Sequence, residues 1–252
     1  MMHSAAVSDT GRKRRTNQDC YLLNSECQLY QVADGMGGHA AGAEAAKLTV
    51  TNIEDFIKLV DLSPEVSWPF GYNVQISFEQ NALRTALLLA NLKVCQAAEE
   101  IEHYAGMGST VVAVWIRSNR AFWTHVGDSR LYFLRGGELR QLTEDHTLVQ
   151  EQFKRGIISS EEVKTHSLRH VVTRAVGSRD RFEVEVQELS LKPGDLFLLC
   201  CDGLSDKVEH EELKSILLDG QDLQATCQSL IDAANRAGGD DNITAVLLHY
   251  DI

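Results

Sequence analysis

Residues 30–48 read YQVADGMGGHAAGAEAAKL: an apolar run from Tyr30 to Ala33, a glycine turn, then alanines spaced as in a helix. Gly35, Gly37 and Ala40 fit GxGxxA, which between a strand and a helix is the pattern that cradles a pyrophosphate on a helix N-terminus. Asp34 opposes that reading. A carboxylate at the mouth of such a cradle repels phosphate unless a cation lies between them. A dinucleotide fold also needs a second strand ending in an acid about 20 residues beyond the glycines. That window is TNIEDFIKLV, residues 51–60, which continues the helix. The doubly wound parallel sheet is therefore set aside.

Working outward, a helix is expected from Ala40 to about Val60, followed by a loop, DLSPEVSWPFGYN, that concentrates Pro64, Pro69 and Gly71. A second helix runs from Phe78 to about His103, with Leu83, Leu87, Val94, Ala98 and Ile101 on one face. From Ser109 to Leu142 the pattern becomes a meander: STVVAVWIR, RAFWTHVG, SRLYFLR and ELRQLT, broken by short turns rich in Asn and Gly. Asp145 to about Ala175 is polar and helix-prone, with Ser159 and Glu162 spaced as a capping box. FEVEVQEL and DLFLLCCDG resume strands, two helices follow (Glu209 to Leu218, Leu223 to Ala237), and NITAVLLHY is a last strand. Strand blocks with helices inserted in pairs predict two antiparallel sheets packed face to face, with helices covering the outside. A chain of 252 residues has room for two domains, but no internal repeat or long linker divides it, so one domain is expected.

With 36 acidic against 24 basic residues the net charge is −12, which argues against a nucleic-acid binder that works by neutralising phosphates. A cation site fits that balance better. The six cysteines form no CxxC pair and read as reduced thiols of a cytoplasmic protein. No leader with an apolar core and no run of membrane-spanning length is found, so no membrane association is expected.

The placement of aspartates is more informative. Asp34 follows YQVA, Asp128 follows WTHVG, Asp202 follows LFLLCC, and Asp241 in GGDDNIT precedes the last strand. Each stands at a strand end, so in a sandwich they can converge on one rim. Like charges gathered there raise one another's pKa unless cations neutralise them. An all-oxygen ligand set favours hard octahedral ions such as Mg2+ or Mn2+.

RRTNQD, ADGMGGHAAG, GMGST, HVGDSRLY, CDGLSD and GGDDNIT occur in the order and approximate spacing of the metal-dependent Ser/Thr protein phosphatases, type 2C. From Arg14 to Thr244 the chain resembles the compact bacterial branch of that family. The resemblance implies an α+β fold, a four-layer α-β-β-α sandwich, with a binuclear Mn2+ or Mg2+ centre at one end of the sheets and a third-metal site beside it. Residue by residue, it assigns Asp34 as the carboxylate bridging both metals and Gly35 as a carbonyl donor. Asp202 and Asp241 match ligands of the first metal, and Asp19 matches the acid that holds the second. Asp128 matches a third-metal position shared with Asp202, and Arg14 matches the arginine that grips the substrate phosphate. It also implies direct attack on phosphorus by a hydroxide that the two cations generate near neutral pH. Phosphoserine and phosphothreonine proteins would be the substrates, opposing a Ser/Thr kinase, with the enzyme acting as a monomer.

Several residues keep two readings at this stage. His39 is either a helix-start surface histidine or a helper that orients metal-bound water. The neighbours of Arg14 in the run Arg12–Arg15 read as a solvated arm. Cys200 and Cys201 read as small hydrophobes of a buried strand rather than ligands, Asn242 as a support of the metal loop, Asp206 as a turn residue and Asp240 as a solvated charge. Met36 stands where eukaryotic relatives carry a histidine proposed as general acid, so proton delivery falls to metal-bound water or His39. Segment 145–180, with His166, His170 and Arg174, matches a mobile flap of the bacterial branch, or is an ordinary surface loop. A phosphoprotein-binding relative without turnover is the competing function, and the complete acidic set argues against it.

Overall fold

A computed structural model describes residues 1–38, 41–63, 65–179, 183–220 and 222–251. The chain opens with β1 (Met2–Asp9), β2 (Asp19–Asn24) and β3 (Leu29–Met36), then the long helices α1 (Ala41–Leu62) and α2 (Phe78–Glu100). The meander follows as β4 (Gly108–Ser109), β5 (Val111–Arg117), β6 (Arg120–Val126), β7 (Arg130–Arg135) and β8 (Glu138–Gln141). Two short helices, α3 (Leu148–Lys154) and α4 (Ser160–Thr165), precede β9 (Gln187–Ser190) and β10 (Asp195–Cys200). The last elements are α5 (Asp202–Ser205), α6 (His210–Asp219), α7 (Leu223–Arg236) and β11 (Ile243–Tyr250).

One sheet has the order β1-β11-β10-β7-β8 and the other β2-β3-β5-β6-β9, with β4 beside β3. The named strands all pair antiparallel. Between the sheets, Tyr30, Val32, Val112 and Val114 meet Leu131, Phe197, Leu199 and Val246. On the outer face of one sheet, Leu29, Ala33, Val111 and Trp115 pack with the apolar stripes of α1 and α2. On the outer face of the other, Leu198, Cys200, Ala245 and Leu247 pack with α6 and α7. Successive residues of one strand thus enter different cores, which is why the inner strands read as continuous apolar runs rather than alternating ones. The result is the expected four-layer α-β-β-α arrangement.

Phe197 is fully buried at the centre of the inter-sheet layer, 5.0 Å from the Phe133 ring. Phe197→Ala is expected to cost about 3–5 kcal/mol of stability, read from urea unfolding. A loss under about 1 kcal/mol would show that the layer collapses around the gap.

Three details depart from the sequence reading. β1 and β2 were not anticipated. Both are edge strands, and residues such as Ser4, Ala6 and Tyr21 are only partly buried or exposed, so the apolar pattern is weak there. The second helix ends at Glu100 and is followed by a 3-10 turn, Glu102–Tyr104. Of the described residues of FEVEVQEL, from Glu183 on, only those from Gln187 join β9, because the Thr124 hydroxyl donates to the Glu185 carbonyl (2.7 Å) and the Gln80 amide donates to the Val186 carbonyl (3.1 Å). Side chains there take acceptors that a ladder would have used.

The polar excursion is held at its roots. Thr147 bridges Val172, and Ser109 bridges Val176. Thr147 caps α3, and Ser159 with Glu162 forms the predicted capping box at α4.

Candidate metal centre

The antiparallel register of β2 and β3 sets Asp19 directly opposite Asp34. Two carboxylates in such a pair repel, so backbone and hydroxyl groups must hold them. The Asp34 N–H donates to Thr110 Oγ1 (3.1 Å), while the Asp34 carbonyl accepts from the Thr110 N–H (2.9 Å) and from Ser109 Oγ (3.0 Å). Asp19 Oδ2 accepts a hydrogen bond from Thr244 Oγ1 at 2.6 Å. Both hydroxyl donors come from motifs in the sequence, GMGST and GGDDNIT, although their roles were not read there.

The other sheet delivers Asp202 at the first residue of α5 and Asp241 just before β11. Glycine lets these pieces close up. A Cβ on Gly203 would lie 1.9 Å from the Asn242 carbonyl oxygen, and one on Gly35 would lie 1.9 Å from that of Gly42. Thus α5 fits against the Asp241 loop, and the first turn of α1 fits against the Asp34 turn. Asn242 ties the loop to the N-terminal arm. Its Oδ1 accepts from the Gln18 N–H (2.8 Å), and its Nδ2 donates to the carbonyls of Thr10 (2.9 Å) and Thr16 (3.0 Å).

Asp34, Gly35, Asp128, Asp202, Asp241 and Arg14 line one cleft of about 280 Å³, and Asp19 lies behind Asp34 in the ladder. Arg14 stands at the rim, half-exposed, with Nη2 2.6 Å from Asp241 Oδ2. That hydrogen bond holds its guanidinium pKa above the ordinary value. His39 lies outside the described residues.

Burial dominates the electrostatics of the carboxylates. It pushes Asp19 up to about 7, partly opposed by the Thr244 hydrogen bond. Asp34 is raised well above the usual range by burial and then by Asp19, Asp202 and Asp241. Asp128 is pushed up to about 8 by burial and by Asp202, and Asp202 up to about 6 by burial and by Asp206 and Asp241. Acids that resist ionisation this strongly call for positive charge.

The donor set fits a divalent cation. Asp19 Oδ1 and Asp202 Oδ1 are sealed from solvent and have no hydrogen-bond partner. Leaving such oxygens unpaired is costly unless a cation meets them. The surrounding donors are carboxylate and carbonyl oxygens, the chemistry of Mg2+ and Mn2+. Cysteine does not compete. Cys200 faces α6 and α7 with its thiol pushed up to about 12 by burial, and Cys201 faces the inter-sheet layer.

Two residues enter this neighbourhood that the sequence reading did not assign to it. His170, from the excursion, lines the same cleft, and its Nδ1 lies 3.2 Å from Asp206 Oδ2. Asp206 follows directly on α5, where a one-turn helix returns it toward Asp202. Asp240, read as a solvated charge, is a half-exposed loop carboxylate that pairs with Lys13 and Lys207, and their hydrogen bonds lower its pKa to about 2.

The family model for protein phosphatase 2C matches residues 11–247. The chain belongs to the protein phosphatase 2C family. Protein phosphatase PhpP of Streptococcus pneumoniae serotype 2 is 33% identical over 250 residues, covering 98% of this chain and 97% of the relative. The crystal structure of the serine/threonine phosphatase PstP/Ppp of Mycobacterium tuberculosis superimposes with a TM-score of 0.86 at 33% identity, covering 100% of this chain and 99% of that one. The catalytic domain of PstP solved with two manganese ions gives a TM-score of 0.84 at 32% identity, over 100% and 99% of the two chains. The family thus accounts for the two-sheet architecture and for nearly all of the chain.

Proposed function

We propose that this family member is a metal-dependent protein phosphatase that hydrolyses phosphoserine and phosphothreonine on proteins. The observation that carries the reading is the convergence of Asp19, Asp34, Asp202 and Asp241 from two sheets, with sealed, unpaired oxygens and Arg14 on the rim. Relatives named as serine/threonine phosphatases, one of them holding two manganese ions, support it.

In this reading Asp34 and the Gly35 carbonyl, with Asp202, Asp241 and Asp19, would hold two Mn2+ or Mg2+ ions. When bound, such ions would supply Lewis acidity and a nucleophile near neutral pH. The chain's own groups do the rest. Arg14 turns from Asp241 to pair bidentately with two phosphate oxygens, orienting phosphorus and offsetting charge there. Thr244 keeps Asp19 aligned through the 2.6 Å hydrogen bond, and Asn242 keeps the arm carrying Arg14 in register with Asp241. Met36 lines the cleft as a thioether and donates no proton. Asp128, which lines the same cleft, is proposed as part of a third-metal position.

One catalytic domain spans 1–252 in this proposal, with 145–180 as a flap beside the cleft. Substrates bearing phosphoserine and phosphothreonine require an enzyme that makes them, so a Ser/Thr kinase is the proposed opponent. All six cysteines are free thiols, which supports a reducing, cytoplasmic setting. A monomer is proposed. Among the described residues, no helix is long and apolar enough to cross a membrane.

The test is release of phosphate from a phosphothreonine peptide with Mn2+, then with excess chelator, then with Mn2+ restored. Turnover is expected to vanish with chelator and to return with metal. Phosphate release that persists after complete metal removal would overturn the reading.

A further inference from the structure

We propose that Arg12, Lys13 and Arg15, with Lys207, form a cationic rim beside the cleft that takes acidic side chains flanking the phosphoresidue of a protein substrate. The proposal rests on the phosphatase reading and names the class of sequence that reading would favour. Arg12 to Arg15 are four consecutive cations in a chain whose net charge is −12, so the run serves a local contact rather than a general affinity for anions. They are not displayed on a loose tail. Asn242, from the cleft wall, donates through Nδ2 to the carbonyls of Thr10 (2.9 Å) and Thr16 (3.0 Å), so one side chain closes the arm into a loop around the four residues. The Arg12 and Lys13 N–H groups donate to the Gly239 carbonyl (2.7 and 3.2 Å). Gly11, at φ +76°, lets the loop press on the Asp241 backbone, whose carbonyl oxygen would lie 2.1 Å from a Cβ there. All four cations remain exposed.

The loop carries more positive charge than the protein matches. Lys13 and Lys207 converge on one carboxylate, Asp240, and Arg14 pairs with the next residue, Asp241. Two ammonium groups bring more N–H donors than one carboxylate can accept. Among the described residues, neither Arg12 nor Arg15 has a side-chain hydrogen bond or an ion pair. Once Asp241 meets a cation and Arg14 the phosphate, this surplus faces whatever flanks the phosphoresidue. An extended peptide advances about 3.3 Å per residue, so side chains a few places from a phosphate on Arg14 come within reach of its long-armed neighbours. The excursion offers no such surplus at Lys164 and His170, which pair with Glu209 and Asp206. Arg169, in a cavity that shares Asp128, His170 and Asp202 with the cleft, is the rival position for an acidic flank.

The test separates binding from turnover. Peptides carry a non-hydrolysable phosphonate analogue of phosphothreonine, with aspartates on one side or the other, alanines on both, or lysines on both. Their binding to the Mn2+-saturated full-length chain is read by fluorescence anisotropy. Exposed ion pairs are individually weak and screened by salt, so aspartates on one of the two sides are expected to tighten binding about tenfold over alanines at low ionic strength, less at high. Lysines should weaken it. The variant Arg12→Ala/Lys13→Ala/Arg15→Ala should lose most of the aspartate advantage while binding the alanine-flanked peptide as wild type does, and Arg15→Glu should shift the preference toward lysine flanks. These side chains are exposed and the loop is closed through backbone groups, so the variants should fold, which circular dichroism verifies. Equal binding of all flanks by wild type, or an advantage undiminished in the triple variant, would overturn the rim, as would its loss in Arg169→Ala alone. Phosphothreonine versions of the same peptides read turnover. Acidic preference in binding without phosphate release would count against the phosphatase reading alone, and phosphate release with no preference among flanks against the rim alone.

Discussion

Asp34→Asn is expected to lower Mn2+-dependent phosphopeptide hydrolysis by at least about 10²-fold, because losing even a supporting partner of a metal ligand costs about 10–100-fold. The amide keeps the shape of the side chain, and the bonds to Thr110 and Ser109 run through the Asp34 backbone, so its position is unchanged. What is lost is the anionic oxygen. The same substitution has an opposite effect on stability. The Asp34 carboxyl faces Asp19, Asp202 and Asp241 in a buried place, and its charged form is disfavoured by burial first and by these neighbours second. Removing the charge should raise the melting temperature of the metal-free protein at high pH, with a smaller gain as the pH falls and protonation itself removes the charge. Steady-state kinetics with saturating Mn2+ and thermal unfolding after chelation check the two halves. Activity within tenfold of wild type would remove Asp34 from the centre.

Metal removal should make stability strongly dependent on pH, in the direction opposite to that of ordinary surface acids. Asp19, Asp202 and Asp128 are raised from 3.8 to about 7, 6 and 8 in the folded chain. Between those limits the native state binds more protons than the unfolded chain, so stability falls as pH rises. The metal-free protein is thus expected to be more stable near pH 5 than near pH 8. Cations reverse the trend, since they meet the ionised form and are displaced by protons. At a free Mn2+ concentration about 100-fold above the dissociation constant, each ion stabilises by about 2.7 kcal/mol. For a chain of this size, two ions should raise the melting temperature by about 10–20 °C at pH 8, and much less at pH 5. Calorimetry at both pH values, with and without chelator, measures this. A metal-free protein that gains stability from pH 5 to pH 8 would show that the carboxylates do not repel one another as their burial implies.

The sequence carried the sandwich because the inner strands β3, β5, β10 and β11 are apolar on both faces, and the helices between them come in pairs. It lost β1 and β2 because an edge strand buries little, so a segment such as MHSAAVSD shows no clean period. It also overextended FEVEVQEL. An alternating pattern there promised a strand, but Thr124 and Gln80 occupy the carbonyls of Glu185 and Val186.

For the centre, the sequence by itself determined the oxygen-rich chemistry. Aspartates at the ends of separate strands, beside glycines that permit close backbone approach, are legible as a one-dimensional pattern. Only the tertiary structure decided which of those acids face one another. The Asp19–Asp34 pairing depends on strand register, and the contact of Gly203 with Asn242 depends on how α5 docks against β11. His170 and Asp206 meet across a span of sequence that no local period connects, and Lys13 and Lys207 find Asp240 in the same way. Burial, which sets the protonation of every carboxylate here, is a property of the packed layers, so it became readable only once both sheets and their helices were in place.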